Sequence, residues 1–352
     1  MFFLLSAWSK AAHAVNQEGT FWMPPQASSF AAEVDFVYYF IYWIDIVFFV
    51  GLMGTMIWFA IRYRQREEGE PTSPIKGSHT VELIWAVGPS FFLIAMFVLG
   101  FKSYLTQSIP PADAMEVRVT GQKWNWSFSY PDLGIEGEST LIVPVDTPVR
   151  LTMNSRDVLH SFYVPDFRIK KDVLPNRYTV IWFDVPEIFD PRPHEGRNTD
   201  GDGIANGLGV GEHQVYCTEY CGDGHSRMLT TVQVLTDEDW EKWVDEKTNI
   251  DLSAMTAAER GGMYYKSKGC AGCHSVDGSR LVGPSLLGLW GKEESLADGT
   301  SVMVEDNYLR ESIMDPGAKI VATYDNQMTP YAGILSDDEV NDLIDFIKTL
   351  EN

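Results

Sequence analysis

The chain has 352 residues, is 45% hydrophobic and carries a formal net charge of −22. This length allows two or three domains, and the acidic balance argues against nucleic-acid binding, which requires a basic surface. The acidic excess lies almost entirely after residue 111. It fits an ordinary solvated surface, and it also fits a basic protein partner steered by complementary charge.

The segment 1–33 precedes the first long apolar stretch. Its first 14 residues end in Ala12-His13-Ala14, which resembles a signal-peptide cleavage site, but the charged start of a signal peptide is missing. We therefore expect residues 1–14 to be retained within an external N-terminal segment.

Two apolar stretches, at about residues 36–61 and 83–105, predict a transmembrane helix hairpin over residues 34–107. Each is longer than the roughly 20 residues that a helix needs to cross a bilayer. Buried core helices are the weaker alternative, because neither stretch has a polar face. The link between them carries four basic residues: Arg62, Arg64, Arg66 and Lys76. The positive-inside rule therefore predicts a cytoplasmic link and external chain ends.

Two acidic side chains lie in or beside these stretches. Glu82 stands at the start of the second, and an ionisable residue at a membrane boundary is a functional candidate. A simple helix-start acid is the alternative. Asp45 lies within the first stretch, and we expect it to face a partner subunit.

From about residue 112 to 236 the pattern changes to short alternating runs separated by glycine and proline, which predicts an all-β sandwich or barrel. The runs begin at Glu116, Trp124, Leu141, Val149 and Tyr178. Residues 237–253 predict an acidic linker helix in which Trp240 and Trp243 lie one turn apart and serve for packing or linking.

A dense set of soft metal ligands follows the last predicted strand. Its members are Cys217, Glu219, Cys221, His225 and Met228. Thiolate and thioether sulfur select copper over hard cations, and imidazole also suits copper. A copper site of this type needs a second histidine from elsewhere in the fold, and His160 is the best candidate. Two cysteines on one loop can bridge two copper ions, whereas a structural zinc site would favour two paired histidines and no methionine.

The run Cys270-Ala-Gly-Cys273-His274 is the attachment signature of a c-type haem. Both thiols add to the haem vinyl groups, which forces the adjacent histidine onto one face of the iron. Capping boxes starting at Thr256 and Ser336 predict helices before and after this run. Residues 254–352 are therefore predicted to form an all-α haem domain.

The sixth iron ligand is expected to be a methionine, because methionine raises the reduction potential of an electron-transfer haem. The candidates are Met303, Met314 and Met328. Met328 lies in a loop before the capped C-terminal helix and is favoured. Met314 lies in a predicted helix and is expected to be a core residue.

Together, these features resemble subunit II of the haem–copper cytochrome c oxidases over about residues 30–235. The resemblance rests on the two apolar stretches and on three sequence runs: 121–126, 157–162 and 217–228. It implies a cupredoxin-like domain over residues 112–236 that holds a binuclear copper centre, CuA. The implied ligands are the side chains of His160, Cys217, Cys221, His225 and Met228, with the backbone carbonyl of Glu219.

The same resemblance implies roles for three further residues. It makes Trp124 the tryptophan through which electrons arrive, although an ordinary core aromatic is the alternative. It places Glu82 near the opening of a proton channel in subunit I. It also brings the Glu219 side chain to a magnesium ion shared with subunit I.

The haem signature extends the resemblance to the caa-type oxidases, whose subunit II carries a fused class I cytochrome c domain. Gly283-Pro284 matches that domain, in which the proline carbonyl orients the haem histidine. The implied function is to pass electrons from a donor, through haem c and CuA, to subunit I, which reduces oxygen to water and pumps protons. Nitric oxide reductase with a CuA subunit and a membrane-tethered copper-binding or assembly protein are the alternatives.

The resemblance also implies the surroundings of the chain. Its partners would be subunit I, the other oxidase subunits and the membrane, with a cytochrome c or a docked respiratory complex as donor. The location would be the bacterial cytoplasmic membrane, with the N-terminus, CuA and haem domains on the outer side.

Residues 187–213 form an insert that is longer than this family usually has. Asn198, Asp200 and Asp202 place oxygen ligands at alternate positions, as in a calcium loop, but Gly209 stands where the bidentate glutamate belongs. A polar turn is the favoured interpretation, and calcium remains a hypothesis. The flanking histidines, His194 and His213, are predicted to be surface residues.

Overall fold

The structure is a computed structural model that describes residues 19–69, 71, 74, 77–186 and 211–351. It divides into two compact units, Met1–Ile109 and Pro110–Asn352. The N-terminal segment 1–14, Lys76 and most of the insert 187–213, including the proposed calcium ligands and His194, lie outside the described residues.

The first unit consists of two long helices, α1 (Ala31–Arg62) and α2 (His79–Ser108). Both are long and apolar enough to cross a membrane, and no residue in the most apolar part of either helix is buried. This exposure distinguishes them from the core helices of a soluble protein. Phe48 and Phe92 join the two helices through an edge-to-face ring contact at 5.9 Å.

The second unit begins with a sandwich of two five-stranded sheets, ordered β3-β2-β1-β5-β8 and β4-β10-β9-β6-β7. The strands are β1 (Met115–Gln122), β2 (Asn125–Tyr130), β3 (Ile135–Glu138), β4 (Leu141–Pro144), β5 (Val149–Ser155), β6 (His160–Val164), β7 (Ile169–Val173), β8 (Thr179–Phe183), β9 (Glu212–Cys217) and β10 (Leu229–Leu235). The pairs β1–β5 and β4–β10 are parallel. Alternate residues face inward, as in β5, where Val149, Leu151 and Met153 are fully buried.

Strand β9 corrects one sequence prediction. His213 is 3% exposed, and its Nδ1 donates to Asp166 at 2.9 Å, so the prediction of a surface histidine was wrong. His213, Val215 and Cys217 are all buried on alternate positions of the strand. Because successive side chains of a strand point to opposite faces, His213 shares the inward face with Cys217.

Helix α3 (Asp237–Thr248) follows the sandwich directly. Thr236 caps it by accepting a hydrogen bond from the Asp239 N–H. Trp243 is buried, with its ring 5.1 Å from that of Tyr130 and 4.9 Å from that of Trp240. The tryptophans therefore pack α3 against the sandwich.

The haem domain contains α4 (Ala257–Ser267), the short hairpin β11 (Glu293–Ser295) and β12 (Ser301–Met303), α5 (Asp306–Met314) and α6 (Asp337–Thr349). Both predicted capping boxes are confirmed at the starts of α4 and α6. Gly261 lets these helices cross closely, because a Cβ there would lie 1.9 Å from the Asp342 carbonyl oxygen. Arg260 then reaches both carboxylate oxygens of Asp342, at 2.8 and 2.7 Å.

Candidate copper and haem sites

The predicted copper ligands come together where β6 begins and β9 ends. Strand pairing places His160 beside Cys217, with 3.9 Å between Nδ1 and Sγ. The Cys217 and Cys221 sulfurs are 3.8 Å apart. His225 Nδ1 lies 3.5 Å and Met228 Sδ 3.8 Å from the Cys221 sulfur. All five side chains thus converge on one small volume.

The ligand loop is closed at its base. The Cys217 N–H donates to the Met228 carbonyl at 3.3 Å, and the Cys217 sulfur lies 3.4 Å from the Glu219 carbonyl oxygen. Metal–sulfur bonds of about 2.3 Å at tetrahedral angles require donor atoms roughly 3.8 Å apart. The observed spacing and the two-sulfur, two-imidazole set therefore fit soft metal ions such as copper.

Asp157 orients His160 from behind. Its carboxylate accepts from His160 Nε2 at 2.9 Å and from the Lys123 N–H at 2.8 Å, which leaves Nδ1 facing the sulfurs. Burial alone would lower the pKa of His160, but the hydrogen bonds to Asp157 and Cys217 outweigh it and raise the pKa. For Asp157, burial acts to raise the pKa, yet the bonds from His160 and from backbone N–H groups lower it.

The two thiols share one hydrogen bond, with 3.8 Å between their sulfurs. It lowers the pKa of Cys217, which also accepts from His160. The same bond raises the pKa of Cys221, and burial adds to this rise. One thiolate is thus favoured between the two sulfurs, and it can receive the first metal ion.

Trp124 lies against the ligand loop. It is 5% exposed, and its Nε1 donates to the Cys221 carbonyl at 3.2 Å. A Cβ at position 224 would lie 2.4 Å from the Trp124 ring, so Gly224 permits this close approach. The indole therefore contacts the loop between two of the copper-ligand candidates.

The haem signature lines a mostly apolar cleft, whose volume is about 730 Å³ when the solvent-open space at its mouth is included. Cys270, His274 and Met328 all line it, and Met328 is the methionine that the sequence favoured. Met303 is instead half exposed on β12, and Met314 packs against the helical core. An apolar cleft with an imidazole and a thioether at its wall fits a haem.

Pro284 orients the haem histidine, as the sequence predicted. His274 Nδ1 donates to the Pro284 carbonyl at 2.8 Å, which leaves Nε2 to ligate iron. Burial lowers the pKa of His274, and the bond to Pro284 opposes this change only in part. The neutral imidazole that metal ligation requires is therefore favoured.

The two sites meet within the second unit. The Cys273 thiol lies 3.6 Å from the carbonyl oxygen of Lys123, the residue before Trp124. On one side of this contact, Gln122 hydrogen-bonds Tyr331, and on the other, Gln327 hydrogen-bonds Asp223. Contacts between residues so far apart in sequence leave no local signal, and sequence reasoning missed them. Asp157 was also missed as a ligand partner, although its place three residues before His160 is a usable signal.

The remaining candidates lie elsewhere. Glu82 is at the start of α2, half exposed, with its carboxylate 3.2 Å from His79 Nδ1. Asp45 is exposed on α1. The Glu219 side chain is half-buried beside the ligand loop.

Comparison with known proteins identifies the family. The model of the cytochrome c oxidase subunit II transmembrane domain matches residues 16–103, and that of its periplasmic domain matches residues 133–188. The cytochrome c model matches residues 258–351. The chain belongs to the cytochrome c oxidase subunit II family. Its C-terminal cytochrome c domain agrees with the predicted fusion, and the predicted fold class is confirmed.

Relatives of this subunit II support the assignment. Cytochrome c oxidase subunit 2 of Bacillus sp. strain PS3 is 27% identical over 310 residues, covering 82% of this chain and 80% of the relative. The protein of the same name from Bacillus subtilis strain 168 is 27% identical over 313 residues, covering 83% and 81%. The solved periplasmic domain of subunit II from Bradyrhizobium japonicum is 24% identical with a TM-score of 0.32, covering 40% of this chain and 96% of that chain. That TM-score is too low to support a conclusion.

Membership of this family implies a role, associated partners and cofactors. A subunit II with a cytochrome c domain has an electron-input role in a haem–copper oxidase, which is an oxidoreductase. It associates with subunit I and the membrane. Its two domain types point to copper CuA and haem c as cofactors.

Proposed function

We propose that this subunit passes electrons from a donor through haem c and the binuclear copper centre to subunit I, where oxygen is reduced to water and protons are pumped. The observation that carries this proposal is the 3.6 Å contact between the Cys273 thiol and the Lys123 carbonyl. It joins the haem signature to the strand segment whose next residue, Trp124, touches the copper-ligand loop.

Each cofactor has its own set of proposed ligands in this chain. When bound, haem c and the copper pair supply one-electron carriers, and the chain performs no bond-making chemistry. Cys270 and Cys273 attach the haem, and His274 and Met328 ligate its iron. The copper ligands are His160, Cys217, Cys221, His225 and Met228, with the Glu219 carbonyl. Trp124 connects the two sites and shields the loop from water.

Covalent linkage of both sites in one chain favours fast transfer. A tethered partner acts at an effective concentration that reaches millimolar values for short linkers. Here α3 packs on the sandwich and Gln122 bonds to Tyr331, so the two domains are also held by direct contacts. The external donor, a cytochrome c or a docked respiratory complex, would deliver electrons to the haem domain.

The test uses the purified native oxidase. Copper and haem analysis should give two copper ions and one covalent haem for this subunit, with a mixed-valence copper EPR signal. After rapid mixing with a reduced donor, haem c should be reduced before CuA. Labile mononuclear copper without covalent haem would instead indicate a copper-binding or assembly protein. Non-haem iron in the catalytic subunit would indicate a nitric oxide reductase.

A substitution at Trp124 tests the connection between the sites. Trp124→Phe should slow electron transfer from haem c to CuA by about tenfold or more, because it removes the hydrogen bond to the copper loop and reduces the contact. Trp243→Phe is the matched control, since Trp243 is similarly buried but lies on α3 and packs against Tyr130. Equal rates in both variants would contradict a role for Trp124.

Further roles are part of the proposal. Glu82 would serve proton uptake near subunit I, and Glu82→Gln should slow proton pumping without changing CuA reduction.

The Glu219 side chain would bind magnesium at the border with subunit I, and Glu219→Gln should weaken the EPR signal of manganese substituted for that magnesium. The outer side of a bacterial cytoplasmic membrane would hold both redox domains, which protease treatment of spheroplasts would test.

A further inference from the structure

The loop Asn326–Tyr331, which carries Met328, is attached to the sandwich at both of its ends. It has no regular secondary structure, and within its own domain the Tyr331 N–H donates to the Ile313 carbonyl at 3.2 Å. Two further anchors, Gln122 and Asp223, come from the neighbouring domain. We call this segment the methionine loop.

The C-terminal end of the methionine loop is held by a buried hydrogen-bond network. Tyr331 is 4% exposed, and its hydroxyl donates to the Lys268 carbonyl at 2.8 Å. The same hydroxyl accepts from Gln122 Nε2, on strand β1, at 3.1 Å. Gln122 is 7% exposed, and its Oε1 accepts from Arg156 at 3.3 Å. Each polar atom of the Gln122–Tyr331 pair thus has its role fixed by its partner.

The N-terminal end of the loop touches the copper-ligand loop. Gln327 Nε2 donates to the Asp223 carboxylate at 3.3 Å. Asp223 lies between Cys221 and His225, and Gln327 is the neighbour of Met328 in the chain. This contact is exposed, so we expect it to contribute less than the buried one.

Together, the two contacts fix the ends of an irregular segment whose middle residue must reach the haem iron. Fixing a residue in one backbone conformation costs conformational entropy. A loop whose ends are already held loses less entropy when Met328 takes its ligating position. Gln122 and Asp223 belong to the sandwich, so the sandwich contributes to ligation in the other domain.

We infer that Gln122, and to a smaller extent Asp223, are positioning residues for the sixth ligand of haem c. The inference rests on the proposed function, in which Met328 ligates the iron. Docking of the sandwich against the haem domain then stabilises the methionine-ligated haem. The hydrogen bond between Gln327 and Asp223 connects the methionine loop directly to the copper-ligand loop.

The experiment uses the full chain loaded with haem and copper. Gln122→Leu removes the donor, and Tyr331→Phe removes the acceptor together with the bond from this hydroxyl to the Lys268 carbonyl. Three signals are measured: the optical band of methionine-ligated ferric haem, the haem midpoint potential and the mixed-valence copper EPR signal. We expect each variant to shift the ligation equilibrium about fivefold towards the unligated state, which is the effect of one hydrogen bond. The methionine band should weaken and the potential should fall, with the copper signal unchanged.

The double variant and a control complete the design. Gln122→Leu with Tyr331→Phe should show less than the sum of the single effects, because both remove the same bond. Gln214→Leu is the matched control: Gln214 donates to the Thr230 carbonyl within the sandwich, away from the haem domain. It should leave the methionine band unchanged. Asp223→Asn should have a smaller effect than Gln122→Leu.

Two results would overturn these statements separately. A wild-type methionine band and potential in both haem-loaded variants, Gln122→Leu and Tyr331→Phe, would overturn the inference alone. A wild-type chain without covalent haem would overturn the proposed function and the inference with it. If Gln122→Leu does not fold, Gln122→Met decides the question, because it keeps the length of the side chain and removes only its hydrogen-bonding atoms.

Discussion

The copper-ligand loop and the haem cleft reach their geometry by different routes within one compact unit. In the sandwich, paired strands bring His160 to 3.9 Å from Cys217, and the other donor atoms follow at similar spacing. In the haem domain, His274 and Met328 line an apolar cleft of about 730 Å³. The positions of the copper-ligand candidates are therefore set by paired strands of a sheet. The positions of the haem-ligand candidates are set by a helix-flanked signature and an irregular loop on either side of an apolar cleft.

Replacing one cysteine in each region should have the largest effect, because each replacement should remove the cofactor of one site and leave the cofactor of the other. Cys221→Ser should abolish the mixed-valence copper EPR signal and reduce oxygen consumption by more than about 100-fold, because even losing an outer-shell partner costs 10–100-fold. Covalent haem should remain. Cys270→Ser is the reciprocal control, which should impair haem attachment and leave the copper signal. Loss of both cofactors in either variant would show that the two regions assemble as one.

Replacing the methionine ligand should change the haem site alone. Met328→Ala should lower the haem midpoint potential by on the order of 100 mV, because an axial methionine raises it. Spectroelectrochemistry measures the change. Met314→Ala is the matched control: Met314 packs against the core and should affect stability but not potential. A larger potential change at Met314 would reassign the ligand.

Removing the charge behind His160 should weaken the copper site without dismantling it. Asp157→Asn should reduce copper affinity about 10–100-fold, because this partner fixes the orientation of the ligating imidazole. Competition titration with a copper chelator measures the affinity. Asp166→Asn removes the carboxylate from the other buried histidine pair, His213–Asp166, and should leave the affinity unchanged. Similar losses in both variants would indicate a general effect on the sandwich.

The smallest expected effect concerns the start of α6. Burial alone would raise the pKa of Glu339, but hydrogen bonds from Ser336 and the ion pair with Lys268 lower it. Because the folded pKa lies below the ordinary value of about 4.3, this stabilisation is present above that value. It is lost as the pH falls through the folded pKa.

Glu339→Gln should therefore cost about 1 kcal/mol at pH 7 and much less at pH 3. Denaturant unfolding of the haem domain at both pH values measures the difference. Glu259→Gln, at the matching capping box of α4, should cost less, because Glu339 has an ion-pair partner in Lys268. Equal costs at both pH values for Glu339→Gln would rule out the charge as the cause.

The sequence predicted those parts of the sites that local spacing determines. The cysteines, His225 and Met228 lie on one loop, and the haem signature is contiguous, so their types and intervals were sufficient. His160 was named as the best candidate for the second histidine, but local spacing does not show that it lies beside Cys217, because only strand pairing brings β6 beside β9. The buried position of His213 could have been found from its alternation with Val215 and Cys217. The bond from Gln122 to Tyr331 joins two domains and has no local pattern.

Strand β4 pairs in parallel with β10, which aligns Leu141 with Val232. During synthesis, β4 therefore cannot pair with β10 until nearly the whole sandwich has been translated. Such long-range pairing folds slowly compared with local contacts. The sheet that holds His160 and Cys217 cannot close before β10 emerges, so the copper site cannot be complete before this domain has been translated, whereas the haem thiols lie close together in sequence.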